Sequence, residues 1–569
     1  MNVRSPRAVV AQALPLVGLA VLILGPMAMA VDRLWAVTGT SPLAAALDLS
    51  PAGLEALRTA TGLASLAAVA TVACGVPVAF ALAAMNDPWR RRLRAMIALP
   101  FVCPSIVAAV GFLALMDLTG EMGQTVRGWS AWPEAGPGSV VLLVAMVWFN
   151  LSLAVRVVEP TVSRADPRYL EQLRLLPEGQ TLLGRLRAWW LPLLGPGLTA
   201  AAGLTFTFAF TSFALVRWLA PDALTIEVLL AEQGSGAGIP GYRVDLSRLV
   251  LGAAVAQATV LLLAVSLVNA MQRRHRFATD AASSYHARAG LSAGVWGHPG
   301  LRWTLAWGAA CFAVVPLALV ALASFRMRTP DGWELSLDGW RRALEGDAGG
   351  VTLMEAFWAT LQTASMTVAI ALPAGWYLAT QVQRAEREGR VRLARGLDLL
   401  AMVPLVVSGV MVGLGTLLGL LRLAPGWLTS PWLLPVAHAT LVLPIVVRVM
   451  LPAMRRLKPD FEACAATLGI GPWRRFALVR WPMLRPAAVV AAGLALAFSL
   501  GEFGASWILV RSTDASTLAV LVDAWLARPG FDPSTRPAAM AVAVILGLVT
   551  MVLMLLMERW REDRVHGGL

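Results

Sequence analysis

The sequence predicts an all-α integral membrane protein of twelve transmembrane helices, arranged as two parallel six-helix repeats. Three observations predict it. The chain is 58% hydrophobic and 14% charged, with mean hydropathy +0.68, against the roughly 25% charged residues of a water-soluble fold. Twelve apolar stretches, near 8–31, 61–85, 97–117, 139–158, 197–219, 248–271, 303–324, 358–381, 397–421, 433–453, 487–510 and 537–557, reach the ~20 residues a helix needs to cross a bilayer. Local text also recurs 290 residues later: Ala201-Ala202-Gly203-Leu204 returns as Ala491-Ala492-Gly493-Leu494. Gly179 and Pro192 recur as Gly469 and Pro482, and Phe208 and Phe213 as Phe498 and Phe503, in one ungapped register. Such a register marks two related halves.

Arg4 and Arg7 precede the first stretch. Ala28-Met29-Ala30 has the small-x-small form of a signal cleavage site. The apolar run is long for a signal, and cleavage would leave five spans against six, so the first span is expected to be retained. The runs are continuous rather than alternating, which excludes a β-barrel. The net charge of +13 could suit nucleic acid, but its distribution does not. With the N-terminus inside, the cytoplasmic segments hold 33 basic and 14 acidic residues and the outer loops 14 and 19. That asymmetry is the positive-inside rule and places both termini in the cytoplasm. Cys74, Cys103, Cys311 and Cys464 all avoid the outer loops, so neither a disulfide framework nor a metal site is expected. They read as small packing residues.

The first repeat occupies 1–271, a basic polar linker 272–302 and the second repeat 303–569. Six spans per half orient both repeats alike, about a pseudo-twofold axis along the membrane normal. The third and ninth stretches carry Pro100 and Pro404, each followed eleven residues later by a glycine, Gly111 and Gly415. Kinks or close helix approach are expected there. Arg156 and Arg448 end the fourth and tenth stretches and should snorkel to headgroups.

Cytoplasmic loops follow at 159–196 and 454–486. In the second, Asp460 is a candidate N-cap, residues 461–468 a short helix and Gly469 its C′ stop. Phe461, Ala465 and Leu468 fall on one face. Gly471-Pro472 opens a second helix, which Pro482 should end or kink. In the first loop, Asp166-Pro167 caps a helix over Glu171-Gln172-Leu173-Arg174-Leu175-Leu176, cut by Pro177 before Gly179. The second loop is thus a small surface helix-turn-helix, and the first repeats it less cleanly.

These loops resemble the Glu-Ala-Ala motif of ABC importer permeases, in which a Gly lies thirteen residues before the Pro of a Leu-Pro pair. Phe149-Asn150-Leu151-Ser152-Leu153-Ala154-Val155-Arg156, Thr211-Ser212-Phe213-Ala214-Leu215-Val216, Thr225-Ile226-Glu227-Val228 and Asp245-Leu246-Ser247-Arg248 look like segments of thiamine permeases. Gly501-Glu502-Phe503-Gly504 looks like a segment shared with ferric-iron permeases. The likeness covers essentially the whole chain. It departs at the motif Glu, which the family places six residues before the Gly. Glu462 stands seven before Gly469, Glu171 eight before Gly179, and Ala463 and Leu173 occupy the consensus position.

The resemblance implies a fused, two-copy permease of the type I importer fold in a bacterial inner membrane. It implies two copies of a cytoplasmic ABC ATPase, which would bind ATP and Mg, and an extracytoplasmic binding protein. Its coupling residues would be Glu171, Gly179, Pro192, Asp460, Phe461, Glu462, Ala463, Ala465, Leu468, Gly469 and Pro482. The substrate it implies is thiamine or a thiamine phosphate, with ferric iron or another small solute as the alternative.

The chain's one lysine, Lys458, precedes Pro459, so it has no P-loop. It shows no His-Glu-x-x-His, Gly-x-Ser-x-Gly or Cys-His cluster either. The energy for pumping must come from another chain, and no cofactor is expected on this one. Glu502 is the one acid well inside a span, with Ser212 as its repeat partner. It could face a path for a cationic solute or bond exposed backbone at a helix weak point. Ser212, Thr207, Thr211 and Asn150 are polar candidates for the path on the first-half side, with helix-to-helix bonding as the other reading. An ion-coupled secondary carrier of six-plus-six design is the rival, and a polytopic membrane enzyme ranks last.

Overall fold

In lipid the backbone has no partner but itself, so apolar runs fold as helix. A computed structural model describes residues 6–164, 172–173, 175–239, 241, 243–274, 298–329, 332–457, 459–510 and 515–565. The first-half helices are α1 (Pro6–Thr38), α2 (Pro42–Leu47), α3 (Pro51–Ala83), α4 (Asp87–Val102), α5 (Ser105–Leu118), α6 (Gly120–Arg127) and α7 (Ser139–Arg164), then α8 (Pro177–Gln180), α9 (Leu182–Arg185), α10 (Leu191–Phe210), α11 (Phe213–Leu219), α12 (Ile226–Gly234) and α13 (Val244–Arg274). After the linker come α14 (Pro299–Ala323), α15 (Asp338–Glu345), α16 (Leu353–Arg387), α17 (Val391–Val406), α18 (Gly409–Leu423) and α19 (Leu433–Arg456). The chain continues with α20 (Pro459–Thr467), α21 (Pro472–Arg475), α22 (Trp481–Gly501), α23 (Gly504–Leu509), α24 (Leu518–Leu526) and α25 (Thr535–Val565). Two small antiparallel hairpins flank α15. Most of the linker, 275–297, lies outside the described residues.

Among the described residues, nine helices are long and apolar enough to cross a membrane, or up to eleven if each of two bent pairs is one span. The eighth stretch lies in the 35-residue α16, whose buried Thr360, Thr363 and Thr367 make it less apolar than that set. Four stretches are broken, at matching places in the two halves, two of them where prolines predicted kinks. The third bends by 104° between α4 and α5, and the ninth by 91° between α17 and α18. Pro104 and Ser408, each four residues after Pro100 or Pro404, are the N-caps of the helices that resume. The fifth stretch breaks between α10 and α11 and the eleventh between α22 and α23, at Thr211-Ser212 and Glu502-Phe503. A helix terminus in a membrane must find new partners for its freed backbone groups, and at Ser408 and Glu502 side chains supply them.

The chain forms two compact units that cut across the sequence halves. One comprises Asp48–Leu229 and Ala253–Ala323, the other Met1–Leu47, Leu230–Gly252 and Ser324–Leu569. In the former, α14 of the second half packs on α3, α4 and α5. Ala306, Ala309 and Ala310 share its core with Val78, Leu93 and Val155. In the latter, α1 of the first half packs on α17, α18 and α19. Leu19 and Ile23 share that core with Leu378, Val442 and Val446.

Between helices in lipid, close approach and hydrogen bonds replace the hydrophobic force. Gly111 and Gly415 supply the close approach. A Cβ on Gly111 would lie 3.0 Å from the carbonyl oxygen of Pro316, and one on Gly415 only 2.4 Å from that of Pro26. Both prolines sit inside the exchanged helices, where proline leaves the carbonyl four residues earlier without its usual donor. Thr440 Oγ1 donates to that carbonyl, Leu22 O, at 3.4 Å. Trp148 Nε1 donates at 3.2 Å to Ala313 O, one residue past the corresponding position.

Candidate functional site

In the second loop, α20 starts at Pro459, so Asp460 lies inside its first turn rather than capping it. A carboxylate there still complements the helix dipole. Gly469 has φ +72°, and Gly469 N and Ile470 N donate to Ala466 O and Ala465 O, both at 3.1 Å. This is the expected glycine stop. The face expected from Phe461, Ala465 and Leu468 is split. Ala465 is buried with 5% exposure, whereas Phe461 and Leu468 are exposed. Glu462 turns inward with Ala465, while Asp460, Ala463 and Cys464 are exposed. Trp473 and Leu478 extend the exposed apolar surface.

Glu462 accepts from Arg480 Nε at 2.7 Å. Arg387 Nη2 donates to Leu457 O at 3.0 Å and Gln383 to Met454 O. Arg455 grips Glu386 with two hydrogen bonds, 3.0 and 2.6 Å. These bonds tie the end of α19 to α16, and the start of α20 to the π turn before α22.

Pro482 does not end its helix. The five residues Phe476–Arg480 form a π turn, with Trp481 N bonded five residues back to Phe476 O. The helix runs on as one span, Pro472–Gly501. The wide turn lets a proline enter without breaking the ladder. The first loop has the same device at Leu186–Trp190, before Pro192. Those two π turns stand in the 290-residue register of the sequence repeat. Gly179 is no stop, because it lies inside α8. Glu171 and the Asp166-Pro167 cap lie outside the described residues.

Glu502 is 9% exposed. Its carboxylate accepts from Ala505 N at 3.0–3.1 Å and from Ser506 N at 3.2 Å, capping α23 where the eleventh stretch breaks. Gly409 makes room: a Cβ there would sit 2.2 Å from Glu502 Oε1. His438, fully buried in α19, meets Ser499 Oγ at 2.9 Å, Ser506 Oγ at 3.1 Å and Glu502 Oε2 at 3.4 Å. Ser499 donates in turn to Thr367 Oγ1 at 3.2 Å. The first-half candidates behave differently. Asn150 Nδ2 donates to Met146 O at 2.8 Å, and Thr207 and Thr211 Oγ1 to Gly203 O and Thr207 O, each at 2.9 Å. These bonds stay within one helix. Ser212 is the N-cap position of α11 without a side-chain cap bond.

Sequence reasoning missed His438, Arg480, Gln383 and Arg387. His438 carried a signal, since an imidazole inside a span is a costly polar group, but charge counting treats it as neutral. The other three carried none, because their partners are backbone carbonyls or a carboxylate distant in sequence.

Residues 371–567 match the family described as "Binding-protein-dependent transport system inner membrane component". The chain is similar to the thiamine transport system permease proteins of Brucella suis and Brucella abortus. It is 24% identical to the first over 500 residues and 25% identical to the second over 501, covering 87% of this chain and 85% of each relative. It is also 29% identical over 249 residues to the sulfate transport system permease protein of Escherichia coli, covering 42% of this chain and 84% of that protein. Most of that single permease, 84% of its length, thus aligns within less than half of this chain. The family match over residues 371–567 and the likeness to transport permeases over most of the chain are what a fused, two-copy membrane-spanning permease of the ABC importer type would give.

Proposed function

We propose that this permease carries thiamine or a thiamine phosphate inward. In this reading its two loops, 159–196 and 454–486, face the cytoplasm with both termini. Each loop docks one copy of an ABC ATPase, which binds the ATP and Mg, and an extracytoplasmic binding protein delivers the solute. The observation that carries the reading is the set of exposed apolar side chains Phe461 on α20, Leu468 in the turn after it and Trp473 on α21, while Ala465 and Glu462 on the other face of α20 are turned inward. A rigid element with an uncovered apolar face is what a force-transmitting joint needs. The resemblance to the Brucella permeases over 87% of the chain supports the substrate.

The test is reconstitution of the full chain with its ATPase and binding protein in vesicles. ATP-dependent uptake of labelled thiamine is expected. Uptake driven by an ion gradient with no ATPase present would overturn the coupling role. ATP-dependent uptake of another solute, with thiamine excluded, would overturn the substrate alone.

A further inference from the structure

The π turns of the two loops are not held in the same way. In the second half, α20 is tied by the Glu462–Arg480 ion pair, with both side chains about one-third exposed, 33% and 32%. The pair lines a small cavity with Gln383, Arg387, Met454 and Leu457, where Gln383 and Arg387 hold backbone carbonyls just before α20. In the 290-residue register the first half has Gln172 in place of Glu462 and Trp190 in place of Arg480. Those two side chains form no ion pair. Trp190 instead meets Phe80 of α3 edge-on, ring centroids 4.8 Å apart, and stands beside the core of Ala79, Val158 and Leu194.

We propose that Glu462 and Arg480 are positioning residues that make the second coupling helix stiff through an electrostatic tie, whereas the matching π turn of the first loop is held by aromatic packing at Trp190. This deepens the docking reading and rests on it. The two joints should then differ in their response to salt. Screening weakens a partly exposed ion pair, whereas apolar contact is not weakened by added salt.

The experiment uses the full chain in nanodiscs, with backbone amide exchange of residues 459–470 and 182–190 followed by mass spectrometry. Glu462→Gln and Arg480→Met are each expected to speed exchange in 459–470 by about threefold and leave 182–190 unchanged. The exchanged pair Glu462→Arg with Arg480→Glu should restore protection. Raising salt from about 0.1 to 1 M should loosen 459–470 in the wild type and not in the neutral variants. Wild-type exchange rates in both single variants, or no salt response in the wild type, would overturn the proposal. So would equal loosening of both segments. Capture of the ATPase is read on the same samples. Loss of capture by the wild type would sink the docking reading and the proposal with it. Loss of capture by Glu462→Gln with unchanged exchange would mean Glu462 serves the ATPase directly and would overturn the tie alone.

Discussion

Replacing Glu502 separates two roles that a buried carboxylate can play in a membrane. Glu502→Ala leaves Ala505 N and Ser506 N without their side-chain acceptor at a site only 9% exposed. Each buried donor left unpaired costs about 1–3 kcal/mol, so the loss is roughly 2–6 kcal/mol if no water enters. Glu502→Gln keeps one oxygen. Placed where Oε2 stands, it accepts from both Ala505 N and Ser506 N, and only the charge assistance goes, about 1 kcal/mol. The assay is thermal unfolding of the full chain in nanodiscs beside uptake in vesicles. Glu502→Ala should lower the unfolding midpoint clearly and Glu502→Gln slightly, with uptake falling in step. An unaltered midpoint in Glu502→Ala would refute the capping argument. Lost uptake in Glu502→Gln at full stability would place the negative charge on the solute's path.

Phe461→Asp or Leu468→Asp should abolish capture of the ATPase while leaving the unfolding midpoint unchanged, because both side chains are exposed. Ala465→Asp should lower the midpoint as well, since that position is buried, and a pull-down beside a melt distinguishes the two. Gly469→Ala forces a Cβ into φ +72° and should cost about 1–2 kcal/mol, read as faster amide exchange in α20. Gly415→Val should destabilise the chain more than Gly111→Val, because the clash with Pro26 is tighter than that with Pro316. Trp148→Phe should cost about 1 kcal/mol by removing the bond to Ala313 O, measured by the same melts.

Much of this fold is legible because lipid demands one solution from an apolar run. The Gly–Pro spacing also exposed the repeat, and the structure keeps it in the paired π turns. The breaks in the third, fifth, ninth and eleventh stretches were harder to read. Hydropathy sees an unbroken run at Cys103-Pro104 or Thr211-Ser212, whereas the backbone ends a helix there and restarts it in another direction. Gly111 and Gly415 were visible as small residues, but what presses on them, Pro316 and Pro26, comes from the opposite sequence half. Of the loop face, Phe461 and Leu468 were legible as apolar. That Ala465 faces inward depends on Glu462 finding Arg480, eighteen positions away. Glu502 stood out as a charge, and only its geometry reveals that backbone amides occupy both oxygens.

The exchange of α1 and α14 has a consequence for biosynthesis. α1 leaves the ribosome before the second half, yet the glycine that packs against its Pro26, Gly415, is made 389 residues later. At about 5–20 residues per second, α1 waits in the bilayer for roughly 20 to 80 s before its final neighbour exists. The earlier bundle likewise lacks α14 until translation has passed the linker. Joining both copies in one polypeptide ensures that each orphaned helix meets its counterpart on the same molecule, at equal stoichiometry and without a search through the membrane.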